Sequence, residues 1–368
     1  MPDDSVTTVN RARQEWRTVR HRLFNLFIVL DILTMVLLVY AERAVADDLR
    51  RPEAVSGMLA QPHDGQLRLE TPARAREFDP GRASFSLMFD DELSPYSVMS
   101  TFVLPCALVY VEVAGQRDSR RNYQCRSSSG RLSPAGHGRW RWTAPAKAGV
   151  YPLIVKNTAT GEAVRLHVFV LARYRGSESV RGFNIGRYPP SRGTGLPCFD
   201  RPAGLIEVSE RLTALRLSPH FTLGQFLCKQ TNDYPQYLAL SERLLMQLEL
   251  LLERANAAGW PADTFFIMSG YRTPYYNLKI GNTTNYSRHV YGDAADIFID
   301  ADHDGVMDDL NGDGASTKED ADLLAALVEA MTDEPWFEPF IGGLGAYGPT
   351  ASHGPFIHVD TRGVIARW

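Results

Sequence analysis

Three side chains of metal-ligand type stand out in the sequence: His289 and Asp296 in the run SRHVYGDAAD (287–296), and His358 in PFIHVDT (355–361). Catalytic zinc takes three protein ligands of imidazole or carboxylate type and keeps a further position for water. His289, Asp296 and His358 supply that set. Bound zinc lowers the pKa of its water to about 7 and polarises a carbonyl, so the chemistry expected is attack by that water on a carbonyl carbon. A proton must also be shuttled. Asp360 is the first candidate for that base and His353 the second; either is open instead to orienting a ligand from behind, and for Asp360 the two roles weigh equally.

Ligands of this kind need rigid supports. If ADIFID (295–300) is a strand, Asp296, Phe298 and Asp300 share one face; if FIHVD (356–360) is another, Phe356, His358 and Asp360 do so too. Upstream, LALSERLLMQLELLLERA (238–255) has apolar residues at 240, 244, 245, 248, 251, 252 and 255, the period of a core-facing amphipathic helix that ends at Gly259. DTFFIMSGYR (263–272) then reads as a strand leaving into a loop.

The fixed positions Ser287, His289, Gly292, Ala294 and Asp296, followed by His358, resemble the S-x-H-x-x-G-x-A-x-D and later His of the zinc D-Ala-D-Ala carboxypeptidase and murein endopeptidase family. The resemblance extends over about residues 205 to 368 and includes SPHFTLGQFL, the SGYR turn (269–272), GGLGAYG and FIHVDTRGVIARW. It implies an α+β zinc peptidase domain in which His289, Asp296 and His358 hold zinc. It also implies that Arg272 addresses the peptide carbonyl or terminal carboxylate of the substrate, for which a guanidinium offers forked donors. A buried salt bridge is the alternative for Arg272. Where many relatives carry a His two residues before the last ligand, or a Glu nearby, this chain has Phe356, which leaves the base open.

Between the halves of the motif lies DADHDGVMDDLNGDGASTKED (300–320). Asp309, Asn311, Asp313, Gly314, Thr317 and Asp320 occupy positions 1, 3, 5, 6, 9 and 12 of a calcium loop, and Asp300, Asp302, Asp304, Gly305 and Asp308 begin an overlapping copy. The run resembles a dockerin or EF-hand loop. Calcium is expected there in a structural role, with a solvated acidic loop as the alternative.

Composition narrows the partners. The 368 residues carry 39 Lys+Arg against 43 Asp+Glu, a formal charge of -4, so there is no cationic surplus for a nucleic-acid backbone. Residues 23–41, LFNLFIVLDILTMVLLVYA, are apolar over a bilayer-spanning length and follow Arg11, Arg13, Arg17, Arg20 and Arg22. The expectation is a single-pass inner-membrane anchor with the N-terminus in the cytoplasm and the later domains in the periplasm. Export makes disulfides feasible, and Cys106 with Cys125 and Cys198 with Cys228 is the preferred pairing, with free buried cysteines as the alternative.

The fold class expected is multidomain: tail 1–22, transmembrane helix 23–41, linker 42–78, an all-β Ig-like sandwich 79–175, a joint 176–204 and the α+β zinc peptidase domain 205–368. ASFSLMF, STFVLPCALVYVEV, GVYPLIVKN and VRLHVFVLAR supply the sandwich strands. The function expected is hydrolysis of peptidoglycan stem peptides or crosslinks. Its rivals are a non-catalytic peptidoglycan-binding module and a calcium-stabilised envelope protein whose sandwich meets a protein partner.

Overall fold

The structure is a computed structural model that describes residues 78–115, 122–190, 197–284 and 286–368. The described strands begin with β1 (Arg82–Phe89), β2 (Glu92–Tyr96), β3 (Val98–Val103), β4 (Leu108–Val113), β5 (Tyr123–Ser127), β6 (Arg131–Gly136), β7 (Arg139–Thr143), β8 (Gly149–Asn157) and β9 (Ala163–Val170). They form two open sheets, ordered β2-β1-β4-β7-β6 and β3-β9-β8-β5. Alternation decides which face is buried: Phe85, Leu87 and Phe89 of β1 face the core, as do Trp140 and Trp142 of β7 between exposed arginines. The run 100–113 expected as one strand breaks at Leu104 and Pro105, where Cys106 takes a φ of 64° and the chain passes from one sheet to the other.

Short pairings follow: β10 (Ala172–Arg173), β11 (Ser179–Val180), β12 (Phe183–Asn184), β13 (Gly204–Val208) and β14 (Gln236–Leu238), of which β10, β13 and β14 make one small sheet. The expected helix runs over Glu242–Ala257 and not from Leu238, because residues 236–238 pair with β13 and Ser241 caps the helix by accepting from the Arg243 N–H. Gly259 sits just past its end at a φ of 90°, a conformation glycine adopts without penalty. The last sheet consists of β15 (Phe266–Ser269), β16 (Ala294–Phe298), β17 (Gly343–Tyr347), β18 (Phe356–Asp360) and β19 (Ala366–Arg367), ordered β15-β16-β18-β17-β19. The helix Lys318–Thr332 covers it, turning Leu324, Val328 and Met331 inward.

The expected multidomain fold class is corrected. From Phe78 to Trp368 the chain is one compact, mostly β unit of several small open sheets with few helices, and a single apolar core runs from Phe85 to Val359. A free-standing Ig-like sandwich beside a separate α+β domain is not what forms. Among the described residues no helix is long and apolar enough to cross a membrane; residues 23–41, where the span was expected, lie outside them, as do the tail and most of the linker.

The fusion has a chemical cause in the polar face of the helix Glu242–Ala257, which sequence periodicity assigns to solvent. Glu242 accepts from Thr101 Oγ1 at 2.9 Å and from the Phe102 N–H at 2.8 Å, both on β3. Glu253 pairs with Arg82 at 2.8 Å and accepts from the Tyr96 hydroxyl at 2.9 Å. Glu92 pairs with Arg243 at 2.8 Å. Glu242 and Glu253 of this helix and Glu92 of β2 are thus spent on joining the two halves of the unit.

Candidate metal centre

Strand register sets two of the three expected ligands. β16 and β18 run antiparallel with Asp296 directly opposite His358, and β15 places Ser269 opposite Asp296. His289 comes from the single 3-10 turn Arg288–Tyr291 just before β16. That turn closes on Gly292 at a φ of 79°, and a Cβ there would lie 2.2 Å from the Ala239 carbonyl oxygen, so the position requires glycine on both counts. All three ligands are buried, and one ligand atom from each lies within 4.8 Å of the others.

The outward hydrogen bonds fix which nitrogens face inward. His289 Nδ1 lies 2.8 Å from the Gly270 carbonyl oxygen, which can only accept, so Nδ1 carries the proton and Nε2 is left with its lone pair. His358 Nε2 lies 3.1 Å from Asp360 Oδ2, an acceptor again, so its Nδ1 is the free nitrogen. The two free nitrogens lie 3.2 Å apart, and each approaches Asp296 Oδ1, at 3.1 Å from His289 and 2.9 Å from His358. Three acceptors aimed at one point repel unless a cation or a proton sits among them. The donor set therefore fits a metal ion, zinc being one of several that take such ligands.

Without a metal, a proton fills that role. Burial lowers the His358 imidazole, but hydrogen bonds to Asp296 and Asp360 outweigh it and raise the ring to about 9. Burial also lowers His289, the nearby Asp296 opposing it. Burial raises Asp296, yet the two imidazoles beside it hold its carboxyl well below the usual range.

Asp360 stands behind His358 and away from the point where the ligands converge. It is fully buried, accepts from the Gly343 N–H at 2.9 Å and pairs with Arg362, whose Nε lies 2.8 Å from Oδ1. Burial raises its carboxyl, but Arg362 and His358 outweigh that and leave it well below the ordinary value. These contacts match the second of the two roles weighed for Asp360, that of orienting His358 from behind. His353 is not brought to the ligands either: its Nδ1 lies 2.8 Å from the Gly354 carbonyl and its ring meets Phe356 edge-on at 5.0 Å.

Arg272 does reach the centre. Its Nη2 pairs with Asp296 Oδ2, its Nε donates to Ser269 Oγ at 2.6 Å, and its backbone N–H donates to the His289 carbonyl at 3.1 Å. It thus carries the salt bridge weighed as the alternative while keeping Nη1 without a hydrogen bond among the described residues. Residues with no role in the sequence reading also contribute. Gly343 and Gly345 of β17 are bare so that Asp360, Arg362 and the Trp368 indole can pack against the strand; the indole centre lies 5.2 Å from that of His358. The GGLG run was the available signal.

In the acidic loop, Asp300, Asp302 and Asp304 each bring an oxygen within 4.8 Å of the others. Asp300 accepts from the N–H groups of Asp304 and Gly305, at 2.9 and 3.1 Å, and Asp309 repeats the pattern with Asp313 and Gly314, at 3.2 and 2.7 Å. Asp308 accepts from the Ala301 N–H at 3.1 Å. Asp309, Asp313 and Asp320 form no such group among the described residues. Asp320 is buried and caps the following helix with Thr317, taking the Leu310 and Thr317 N–H groups, each at 2.8 Å. Asn311 instead donates to Asp313 at 3.0 Å.

The four cysteines are free, which corrects both expected disulfides. Cys125 lies on β5, where burial pushes its thiol up to about 12, and Cys106 is exposed at the break between β3 and β4. Cys228 is buried beside Thr273, and the Cys198 carbonyl accepts from Arg288 at 2.7 Å. No protein-family model, curated protein or solved structure matches the chain.

Proposed function

We propose that this protein is a zinc-dependent peptidase that hydrolyses amide bonds in the stem peptides or crosslinks of peptidoglycan. The observation that carries the reading is the acceptor-only convergence of His289 Nε2, Asp296 Oδ1 and His358 Nδ1, backed on three sides by Gly270, Arg272 and Asp360. The substrate class rests on the resemblance of residues 287–296 and 358 to the zinc D-Ala-D-Ala carboxypeptidases and murein endopeptidases. Such a substrate requires the unit to work outside the cytoplasm.

His289, Asp296 and His358 would hold the ion. Zinc, when bound, supplies Lewis acidity and a water of lowered pKa. Asp360 fixes the His358 tautomer, and Arg272 fixes Asp296 while offering Nη1 to a substrate carbonyl. The acidic loop, through Asp300, Asp302 and Asp304, holds calcium and steadies the segment that follows β16.

A second reading, a zinc-bearing peptidoglycan-binding module without turnover, is favoured by the commitment of Asp360 to Arg362 and His358 and by the fact that, among the described residues, His353 is not part of the ligand group. One experiment separates the two. Purified peptidoglycan is incubated with the zinc-loaded full chain and the released fragments are analysed. Fragments that vanish in a folded His289→Ala variant support the peptidase; retention on the sacculus without any product supports the binder.

A further inference from the structure

Beside the ligand trio stands a cation that the proposed metal chemistry does not use. Cys228 packs against Thr273, and the Tyr271 N–H donates to the Phe226 carbonyl at 3.0 Å, so the segment 226–229 runs alongside the turn that carries Arg272. Gly270 permits this approach, since a Cβ there would lie 2.8 Å from the Phe226 Cα. Lys229 projects from this segment. It is exposed, its Nζ lies 5.9 Å from the centre of the Phe266 ring, and no carboxylate pairs with it among the described residues. Phe266 is itself 38% exposed and stacks on Phe298 of β16, the strand of Asp296.

Charge makes the position informative. Arg272 spends Nη2 and Nε on Asp296 and Ser269, so the nearby cation with its whole charge unspent is Lys229. Burial first, and then the Arg272 guanidinium, push the Lys229 ammonium below its ordinary value, with Asp296 opposing them. Asp296 answers Arg272, so the Lys229 ammonium is the charge left without a paired carboxylate among the described residues, and it favours an anionic ligand. An exposed ammonium over an aromatic ring gains from a carboxylate that arrives with its substrate.

We propose that Lys229 is a specificity-determining residue that receives a free carboxylate of the substrate peptide, so that the site prefers peptides ending near the scissile amide over internal crosslinks. The proposal rests on the peptidase reading for its substrate, and its test reads binding, so the two fail separately. Ketomethylene isosteres of N-acetyl-D-alanyl-D-alanine, which cannot be cleaved, are prepared with a terminal carboxylate and with a terminal carboxamide. Each is titrated by calorimetry into the zinc-loaded full chain.

The wild type is expected to bind the carboxylate about tenfold more tightly, the scale of one charge-assisted contact. Lys229→Met brings the ratio to about one by weakening the carboxylate alone, and Lys229→Arg keeps the preference. An unchanged ratio in Lys229→Met overturns the proposal, as does a wild type that binds neither isostere or both equally. Should the parent dipeptide resist hydrolysis while the binding preference stands, the peptidase reading falls and the carboxylate site remains.

Discussion

Asp360 Oδ2 lies 3.1 Å from Nε2 of His358, the ring nitrogen turned away from Asp296. The imidazole is thereby suspended between two carboxylates, one that shares the ligand cluster and one that fixes its tautomer. Removing the second carboxylate leaves the ligand atoms in place but unaligned.

Asp360→Asn is therefore expected to weaken zinc binding by about 10- to 100-fold, the usual effect of losing a carboxylate behind a ligating imidazole. Competition with a chromophoric chelator measures it. Turnover at saturating zinc should fall much less than affinity. The opposite pattern, intact affinity with lost turnover, would restore Asp360 as the base.

Gly343→Ala should imitate that defect without altering any ionisable group. The added methyl would lie 2.3 Å from Asp360 Oδ2 and 2.8 Å from Arg362 Nη2, so Asp360 must move. Gly354→Ala, with open space around it, is the control. Equal zinc affinity in the two variants would show that Asp360 has no hold on His358.

Much of the centre is legible from the chain alone because its parts are local or regular. SRHVYGDAAD delivers His289 and Asp296 through one turn and one strand, and alternation in FIHVD puts His358 and Asp360 on one face. The division of labour between Asp360 and His358 is not legible, since it depends on Arg362 and on the bare backbone of β17. The fusion of sandwich and site is hidden for a similar reason. Glu242 and Glu253 read as the wet side of a helix until Thr101 and Arg82 are found facing them.

Glu242 also gives the fold a pH signature. Burial raises its carboxyl to about 7, against which the Phe102 N–H and Thr101 hydroxyl only partly act, and Glu92 adds to the rise. In the unfolded chain it titrates near 4.5. Between those values the folded state holds the extra proton, so this group's contribution favours folding below about pH 4.5 and is lost as the pH rises through about 7. Glu242→Gln keeps the acceptor and removes the titration. Its melting temperature should gain on the wild type as the pH rises through that window, by up to about 3 kcal/mol of stability. Parallel pH profiles for the two proteins would refute this assignment.

Calcium-selective chelation is expected to lower the melting temperature while zinc stays bound, because Asp300, Asp302 and Asp304 repel one another without a cation. Asp302→Asn with Asp304→Asn should abolish the response to the chelator. A melting curve that ignores calcium in the wild type contradicts the loop's role.

The central claim is that His289, Asp296 and His358 together grip one metal ion. Zinc titrated into the metal-free full chain, with bound metal counted after gel filtration, tests it most directly. The account predicts one tightly held zinc per chain, lost in His289→Ala and in His358→Ala while both variants keep a cooperative melting transition. A wild type that retains no zinc, or variants that retain it undiminished, would contradict the account.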